Sequence, residues 1–328
     1  MINLLKYLMT GDVLTAKQAE TALKDIASGH QNEAQVAAFL MAYNMRMVTA
    51  DELKGFRKAM LSLAAPLSFK GIRTLDIVGT GGDGKNTFNI STLACFVCAG
   101  AGAKVTKHGN YGVSSVSGAS NVVEQIGITF ATTQEQLNKQ LEAANITFLH
   151  APLFHPAMKN VAHVRKQLGL KTIFNLLGPI CNPAKPDVML LGVHSETTGK
   201  LYRDVMKEAE VDFAIVHALD GYDEISLTDD TRVMMKKSNQ LYTPRNFGFN
   251  RITPQALEGG ATIASNARIF MDILRGKGTE AQNSVVLANA AMAISLYENN
   301  SYNAALEMAK KSLFDGKALA CLNQLKSA

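Results

Sequence analysis

Two short stretches of this chain carry the residue types needed to hold a phosphorylated ligand. The first is Gly79-Thr80-Gly81-Gly82-Asp83-Gly84, entered from the strand-like run Thr74 to Val78. Closely spaced glycines let backbone N–H groups approach an anion that side chains would hold off. The next run, Asn89 to Ala99, reads as a buried helix with Asn89, Ser91 and Thr92 at its start. Its unpaired N–H groups and positive dipole end would join the glycine loop in one anion cradle. The second stretch is Asp223-Glu224, which follows a strand-like run, Phe213 to His217, and the turn Asp220-Gly221. Magnesium suits such a pair, because it takes one or two protein carboxylates and completes its octahedron with water and phosphate oxygens. Neighbouring side chains on extended backbone point opposite ways, so the two acids would serve two ions more readily than chelate one. Alone, an acidic pair reads more readily as a solvated turn, as Asp229-Asp230 does.

The residues around the glycine loop separate three loop families. Gly79, Gly81 and Gly84 match G-x-G-x-x-G, but a dinucleotide site needs an acid about 20 residues on. The next strand-like run, Ala103 to Thr106, ends instead in Lys107-His108-Gly109-Asn110, of the wrong charge. Gly79 to Lys85 also matches the start of a Walker loop, yet Asn86 stands where a hydroxyl should reach the metal. In a doubly wound sheet Lys107 to Asn110 would lie at a strand's carboxyl end, where ligands bind. From Tyr111 to Ser120 the chain then offers Gly112, Val113, Ser114, Ser115, Ser117 and Gly118, rich in donors and poor in bulk. Such a surface suits a sugar phosphate.

These segments resemble a known family. Gly79 to Asp83, Asn89 to Thr92, Lys107 to Asn110, His155 to Lys159, Arg165, Thr172 to Pro179, Asn182 to Ala184 and Gly221 to Ser226 are similar, in register and across nearly the whole chain, to the anthranilate phosphoribosyltransferases. The resemblance implies transfer of phosphoribosyl from 5-phosphoribosyl 1-pyrophosphate (PRPP) to the amine of anthranilate, with Mg²⁺, as two ions, in tryptophan biosynthesis. It assigns PRPP to Gly79, Gly81, Gly82, Asp83, Thr87, Asn89, Ile90, Ser91, Thr92, Lys107, His108, Gly109, Asn110, Tyr111, Gly112, Val113, Ser114, Ser115 and Ala119. It assigns anthranilate to Gly79, Asn110, His155, Arg165 and Gly178, with the Arg165 fork on the carboxylate, and the metal to Ser91, Asp223 and Glu224. No residue is expected to act as a classical acid or base, because an arylamine is already neutral at cellular pH; Lys107 and the metal would stabilise charge. The sequence accordingly shows no nucleophile elbow and no Ser–His–Asp pattern.

The chain departs from the common pattern of that family at Tyr111-Gly112, where Arg and then Ser or Ala are usual, and at Ala119 and Asn121, where Ser and Asp are frequent. One positive charge near the phosphates is therefore missing. Two rivals remain: a pyrimidine nucleoside phosphorylase, which shares the architecture, and a non-catalytic nucleic-acid-binding relative. The run from His155 to Pro179 argues against the first, and the retained acids and glycine loop against the second.

Positioning these residues calls for two kinds of structure. Apolar positions recur at helical spacing up to Pro66, as in Leu23 and Ile26, Phe39 and Leu40, Phe56 and Met60, which predicts a small all-helical domain over 1–66. From residue 70 to 328 strands and helices alternate, which predicts a mainly parallel α/β sheet flanked by helices. Strands are expected at 74–78, 103–107, 146–150, 188–193 and 212–217, with hairpin or edge pieces near 225–243. Gly178-Pro179 reads as a rigid turn between domains. The family resemblance adds that 160–180 returns to the helical domain, that a cleft closes over both substrates, and that members form homodimers through the helical domain.

Composition agrees without pointing to any of this. The 328 residues carry a net charge of +5, which fits anionic substrates, and no Lys/Arg block resembles a nucleic-acid arm. Cys95 and Cys98 form a C-x-x-C with no second pair, so buried thiols are expected rather than zinc. Lys6 interrupts the amino-terminal apolar run, and no run reaches the ~20 residues that cross a bilayer, so a cytoplasmic protein without membrane or nucleic-acid partners is expected.

Overall fold

A computed structural model of the chain describes residues 1–112 and 116–328. The chain divides into a helical unit, Met1–Leu67 with Ala151–Lys185, and an α/β unit, Ser68–His150 with Pro186–Ala328. The returning segment is thus longer than the expected 160–180. Gly178 and Pro179 lie inside it, in a short 3₁₀ turn Gly178–Ile180, and not at a passage between units.

In the helical unit, Ile2–Met9, Ala16–Ala27, Glu33–Met45 and Ala50–Leu63 are helices. Thr15 with Gln18 and Thr49 with Glu52 form capping boxes, which satisfy the first orphan N–H groups and fix where two of the helices begin. Phe39, Tyr43 and Phe56 pack as tilted and edge-on rings in the core. The returning segment supplies the helices Lys159–Leu168 and Ile173–Leu177. It is tied to the first four helices by hydrogen bonds from Asn160 Nδ2 to the Ala27 carbonyl (2.7 Å) and from Arg57 Nε to the Ile180 carbonyl (2.8 Å).

The α/β unit is built on seven strands, β1 Thr74–Gly79, β2 Lys104–Gly109, β3 Ile146–His150, β4 Val188–Gly192, β5 Asp212–Ala218, β6 Thr231–Met235 and β7 Asn239–Tyr242. Their order is β3-β2-β1-β4-β5-β6-β7. The first five run parallel, and β6 and β7 add an antiparallel edge. Strand order reverses between β1 and β4, the place where open sheets of this kind take ligands. Register sets Gly79 opposite Gly192 there, at the carboxyl ends of both strands.

Behind this point the helix Ile90–Gly100 is buried along most of its length and contacts both the sheet and the helix Glu280–Glu298. A helix covered all round needs no polar face, which explains why Leu93 to Ala99 is uniformly apolar. All four cysteines are free and buried, and burial pushes the Cys95 thiol up to about 12. No helix among the described residues is long and apolar enough to cross a membrane.

Candidate active site

At the β1/β4 reversal, the segment after β5 folds back over the strand ends. A β-carbon on Gly79 would stand 2.3 Å from the Asp223 carboxylate, and one on Gly192 would stand 1.7 Å from the Asp223 carbonyl. Only glycine leaves room at either position, and the vacated space is filled by the acidic segment. Gly79 thus serves as a seat for Asp223, a role the sequence did not reveal. The N–H of Gly81, whose φ of +64° is a backbone state that favours glycine, donates to Asp223 Oδ2 at 2.7 Å. Asp223 and Glu224 lie on a bend, not on extended backbone. That departs from the geometry expected for opposed side chains.

Three carboxylates gather here. Burial, followed by the charge of Asp83, pushes the Asp223 carboxyl above its ordinary range. Burial, followed by the charge of Asp223, does the same more strongly for Glu224, although Lys107 and the Ser91 N–H pull it back. The structure brings Ser91, Asp223 and Glu224 together, with Asp83 beside them. Sequence reasoning had placed Asp83 only with the phosphates. Acids whose pKa values are raised by burial and by neighbouring carboxylates fit a divalent cation bound through oxygen, the donor type Mg²⁺ prefers. Among the described residues no group of three or more His, Cys, Asp or Glu side chains forms a complete protein cage. An ion that takes most of its ligands from phosphate and water needs none.

Two further contacts hold the acids in place, and neither was visible in the sequence. Asn289, wholly buried in the helix Glu280–Glu298, accepts from the Ile225 N–H at 3.0 Å and donates to the Ile225 carbonyl at 2.9 Å. The Lys85 ammonium lies 4.7 Å over the Tyr222 ring, which links the glycine loop to the residue before Asp223. A Walker lysine would instead face the ligand.

The helix start behaves differently from the expected cap. Asn89 does not cap the helix Ile90–Gly100 with its side chain; its Nδ2 donates to the Ser117 carbonyl at 3.0 Å. Asn89 Oδ1 and Ser117 Oγ are buried without a hydrogen-bond partner among the described residues. Orphaned polar atoms of this kind mark a place where a polar ligand belongs. Ile90 and Thr92 are buried, so only their backbone can face a ligand, whereas Thr87 pairs with Glu258 in an isolated bridge.

Lys107 and His108, on β2, are both buried. The Lys107 ammonium donates to the Ile77 carbonyl, and its charge favours ionised Glu224 from within the unit. The His108 N–H donates to Asp76 Oδ1 at 3.4 Å. Beyond Gly109, the Asn110 side chain accepts from the Tyr111 N–H (2.8 Å), and the Asn110 carbonyl accepts from the Ser120 N–H (3.1 Å). The Asn121 side-chain oxygen accepts from both Gly112 N–H (2.9 Å) and Gly118 N–H (3.0 Å). An acid at this position would accept the same two bonds, so the change to Asn preserves the staple. Ala119 lies on the first turn of the helix Ala119–Gln125. The candidates Val113, Ser114 and Ser115 lie outside the described residues.

The residues expected to meet anthranilate divide between the units. Gly79 and Asn110 belong to the α/β unit, and His155, Arg165 and Gly178 to the helical unit. Arg165, half-buried on the helix Lys159–Leu168, lays its guanidinium 5.1 Å over the Phe174 ring. Burial lowers its pKa, and among the described residues no carboxylate pairs with it. A flattened, partly desolvated fork without an acid partner is suited to bind a carboxylate ligand. His155 is committed locally, with Nε2 at 3.0 Å from the Cys181 carbonyl, and burial lowers its pKa, which favours the neutral ring. Gly178 has open space where a β-carbon would be. A cavity of about 990 Å³ elsewhere in the α/β unit, near Arg245, Phe249 and Gln282, contains none of the predicted residues.

A glycine loop beside acids at the reversal point of a parallel sheet, in a chain that also carries a helical bundle, is the architecture of a two-domain glycosyl transferase. The family model described as "Glycosyl transferase family, helical bundle domain" matches residues 2–64, and "Glycosyl transferase family, a/b domain" matches 71–319. The chain is 49% identical to the anthranilate phosphoribosyltransferase of Flavobacterium johnsoniae and 48% identical to that of Cytophaga hutchinsonii, with 99% of each chain covered. It belongs to the anthranilate phosphoribosyltransferase family. Among solved structures, the Thermus thermophilus enzyme superposes with a TM-score of 0.92 at 32% identity, covering 98% of both chains. The Saccharomyces cerevisiae enzyme in complex with PRPP and Mg gives 0.91 at 28% identity, over 99% of this chain and 96% of that one. The same yeast enzyme has been solved with 4-fluoroanthranilate.

Proposed function

We propose that this chain is an anthranilate phosphoribosyltransferase, which moves phosphoribosyl from PRPP to the anthranilate amine and releases pyrophosphate and N-(5-phosphoribosyl)anthranilate. The carrying observation is the cluster of acids, buried Asp223 with half-buried Glu224 and Asp83, whose charges crowd one another beside a glycine loop and a helix start with orphaned polar atoms. Family membership and the PRPP and Mg complex of the yeast relative support the same reading.

Asp223, Glu224 and Ser91 would hold Mg²⁺, as two ions, with Asp83 adjacent. Bound there, the metal would neutralise the charge that builds on the departing pyrophosphate. The N–H groups of 79–83 and of the helix start would donate to the same oxygens, a preorganised electrostatic stabilisation that costs no rearrangement during reaction. The Lys107 charge would favour the ionised form of Glu224 for this task. Gly109 to Ser115, with Ala119, would line the sugar phosphate. Arg165 would fix the anthranilate carboxylate, and Asn110 and Gly79 would meet its amine end; the neutral amine then attacks the anomeric carbon with no strong base required.

The family habit of pairing through the helical domain extends to this chain as a proposed homodimer. Exposed Ile2, Met9, Met45, Met47 and Leu170 give the helical unit apolar surface to cover. A cytoplasmic location follows from the biosynthetic role. The test is loss of anthranilate fluorescence, measured with and without PRPP and Mg²⁺. Consumption that needs both supports the reading, and consumption that ignores either one refutes it.

A further inference from the structure

Tyr111 opens the donor-rich loop and Ser120 closes it, and both touch one histidine. His150 is the last residue of β3 and is buried. Its ring stacks on Phe130, with centroids 4.6 Å apart and planes 9° from parallel. The Tyr111 ring meets it edge-on at 4.7 Å, and the Tyr111 hydroxyl donates to Glu124 at 3.0 Å. His150 Nδ1 shares a hydrogen bond with Ser120 Oγ at 2.8 Å. The carboxyl end of edge strand β3 therefore holds both Tyr111 and Ser120, and Asn121 joins Gly112 to Gly118 between them.

We propose that His150 is a positioning residue for PRPP: through Ser120 and Tyr111 it fixes Tyr111, Gly112 and Gly118 to Ser120 where they would receive the sugar phosphate. The usual arginine after Lys107 to Asn110 is absent here. Its replacement, Tyr111, spends its hydroxyl on Glu124 and its ring on His150, so shape takes over part of what charge supplied. Burial lowers the His150 pKa and keeps the ring neutral, as a hydrogen bond and a stack without charge require. The inference rests on the reading of 107–119 as the PRPP loop.

The test compares His150→Phe, which keeps a stacking ring, with Ser120→Ala, which removes one hydroxyl. The expected result is a rise of about 3- to 10-fold in the KM for PRPP in each, the size of one lost hydrogen bond, with the KM for anthranilate within about twofold of wild type. The double variant should be no worse than the more affected single one, because both break one bond. An unchanged PRPP KM in both variants, an equal rise for both substrates, or full additivity would each overturn the proposal. Should His150→Phe fail to fold, Ser120→Ala alone decides by the same criteria. Direct titration of wild-type protein with PRPP keeps the two readings apart: no binding refutes the assignment of the loop, whereas binding with unaltered variants refutes only His150.

Discussion

The two units each bury acid, and they treat it in opposite ways. In the helical unit Glu52 is wholly buried and surrounded by donors: the N–H groups of Leu14 and Thr49, the Tyr43 hydroxyl and two nitrogens of Arg46. Burial would raise its pKa, but those donors outweigh it and leave the carboxyl at about 2. In the α/β unit buried Asp223 and half-buried Glu224 lie together beside Asp83, and the pKa values of Asp223 and Glu224 rise. A buried charge that is fully met is architecture; one left under-compensated is a place for a cation.

The hardest test of that contrast removes the under-compensated charges. Asp223→Asn with Glu224→Gln should lower turnover by at least about 10³-fold, since both metal-side acids and the charge they organise are lost. The melting temperature without Mg²⁺ should hold or rise, because like charges no longer repel. Melting that drops sharply would make the two clusters alike and remove the distinction. At Glu52 the signs exchange. Glu52→Gln should cost about 3 kcal/mol in urea unfolding, because it leaves Arg46 partly buried without its partner, while both substrate KM values stay near wild type. A stable variant with altered KM would show that Glu52 belongs to function.

Cations sort by the same rule. Arg46 is engaged with Glu52, whereas Arg165 lies on a ring with no acid among the described residues. Arg165→Ala should raise the KM for anthranilate about 10- to 100-fold, the range of a charge-assisted bond, and leave PRPP binding within a few-fold. Equal losses for both substrates would deny Arg165 its assignment.

What the sequence disclosed follows the same division between local and long-range causes. Strands β1, β3, β4 and β5 are short, largely apolar runs between turn residues, and all five strands, the polar β2 included, lie within a residue or two of their expected places. The hairpin edge Thr231–Tyr242 was likewise readable from its alternating pieces. The glycine loop and Asp223-Glu224 were legible as motifs. Gly192 was not, because its need to be glycine arises only when the Asp223 carbonyl folds onto β4. Asn289 reaches Ile225 across 64 positions, and no local pattern encodes that. Asn89 looked like a cap because caps are the usual work of Asn before a helix, yet its amide is taken by the Ser117 carbonyl. The 151–185 return had no compositional mark, since its helices resemble those on either side of it.

The gentlest perturbation of the comparison is acid, and its sign follows from linkage. The Glu52 carboxyl has an ordinary value of 4.5 when unfolded and about 2 when folded. Its stabilisation is complete above the unfolded value and is lost progressively as pH falls toward the folded one. Between pH 7 and pH 4 the loss should be about 1 kcal/mol. That figure scarcely depends on how low the folded pKa lies, because at pH 4 the folded carboxylate is still ionised and only the unfolded chain has begun to take up protons. Glu20 titrates in the same direction, so the bare slope of wild type is not diagnostic. The difference between wild type and Glu52→Gln is, since every other acid cancels. Urea midpoints of the two proteins at pH 7 and pH 4 should converge by that amount, and parallel midpoints would show that the donors around Glu52 persist in the unfolded chain or do not hold its charge.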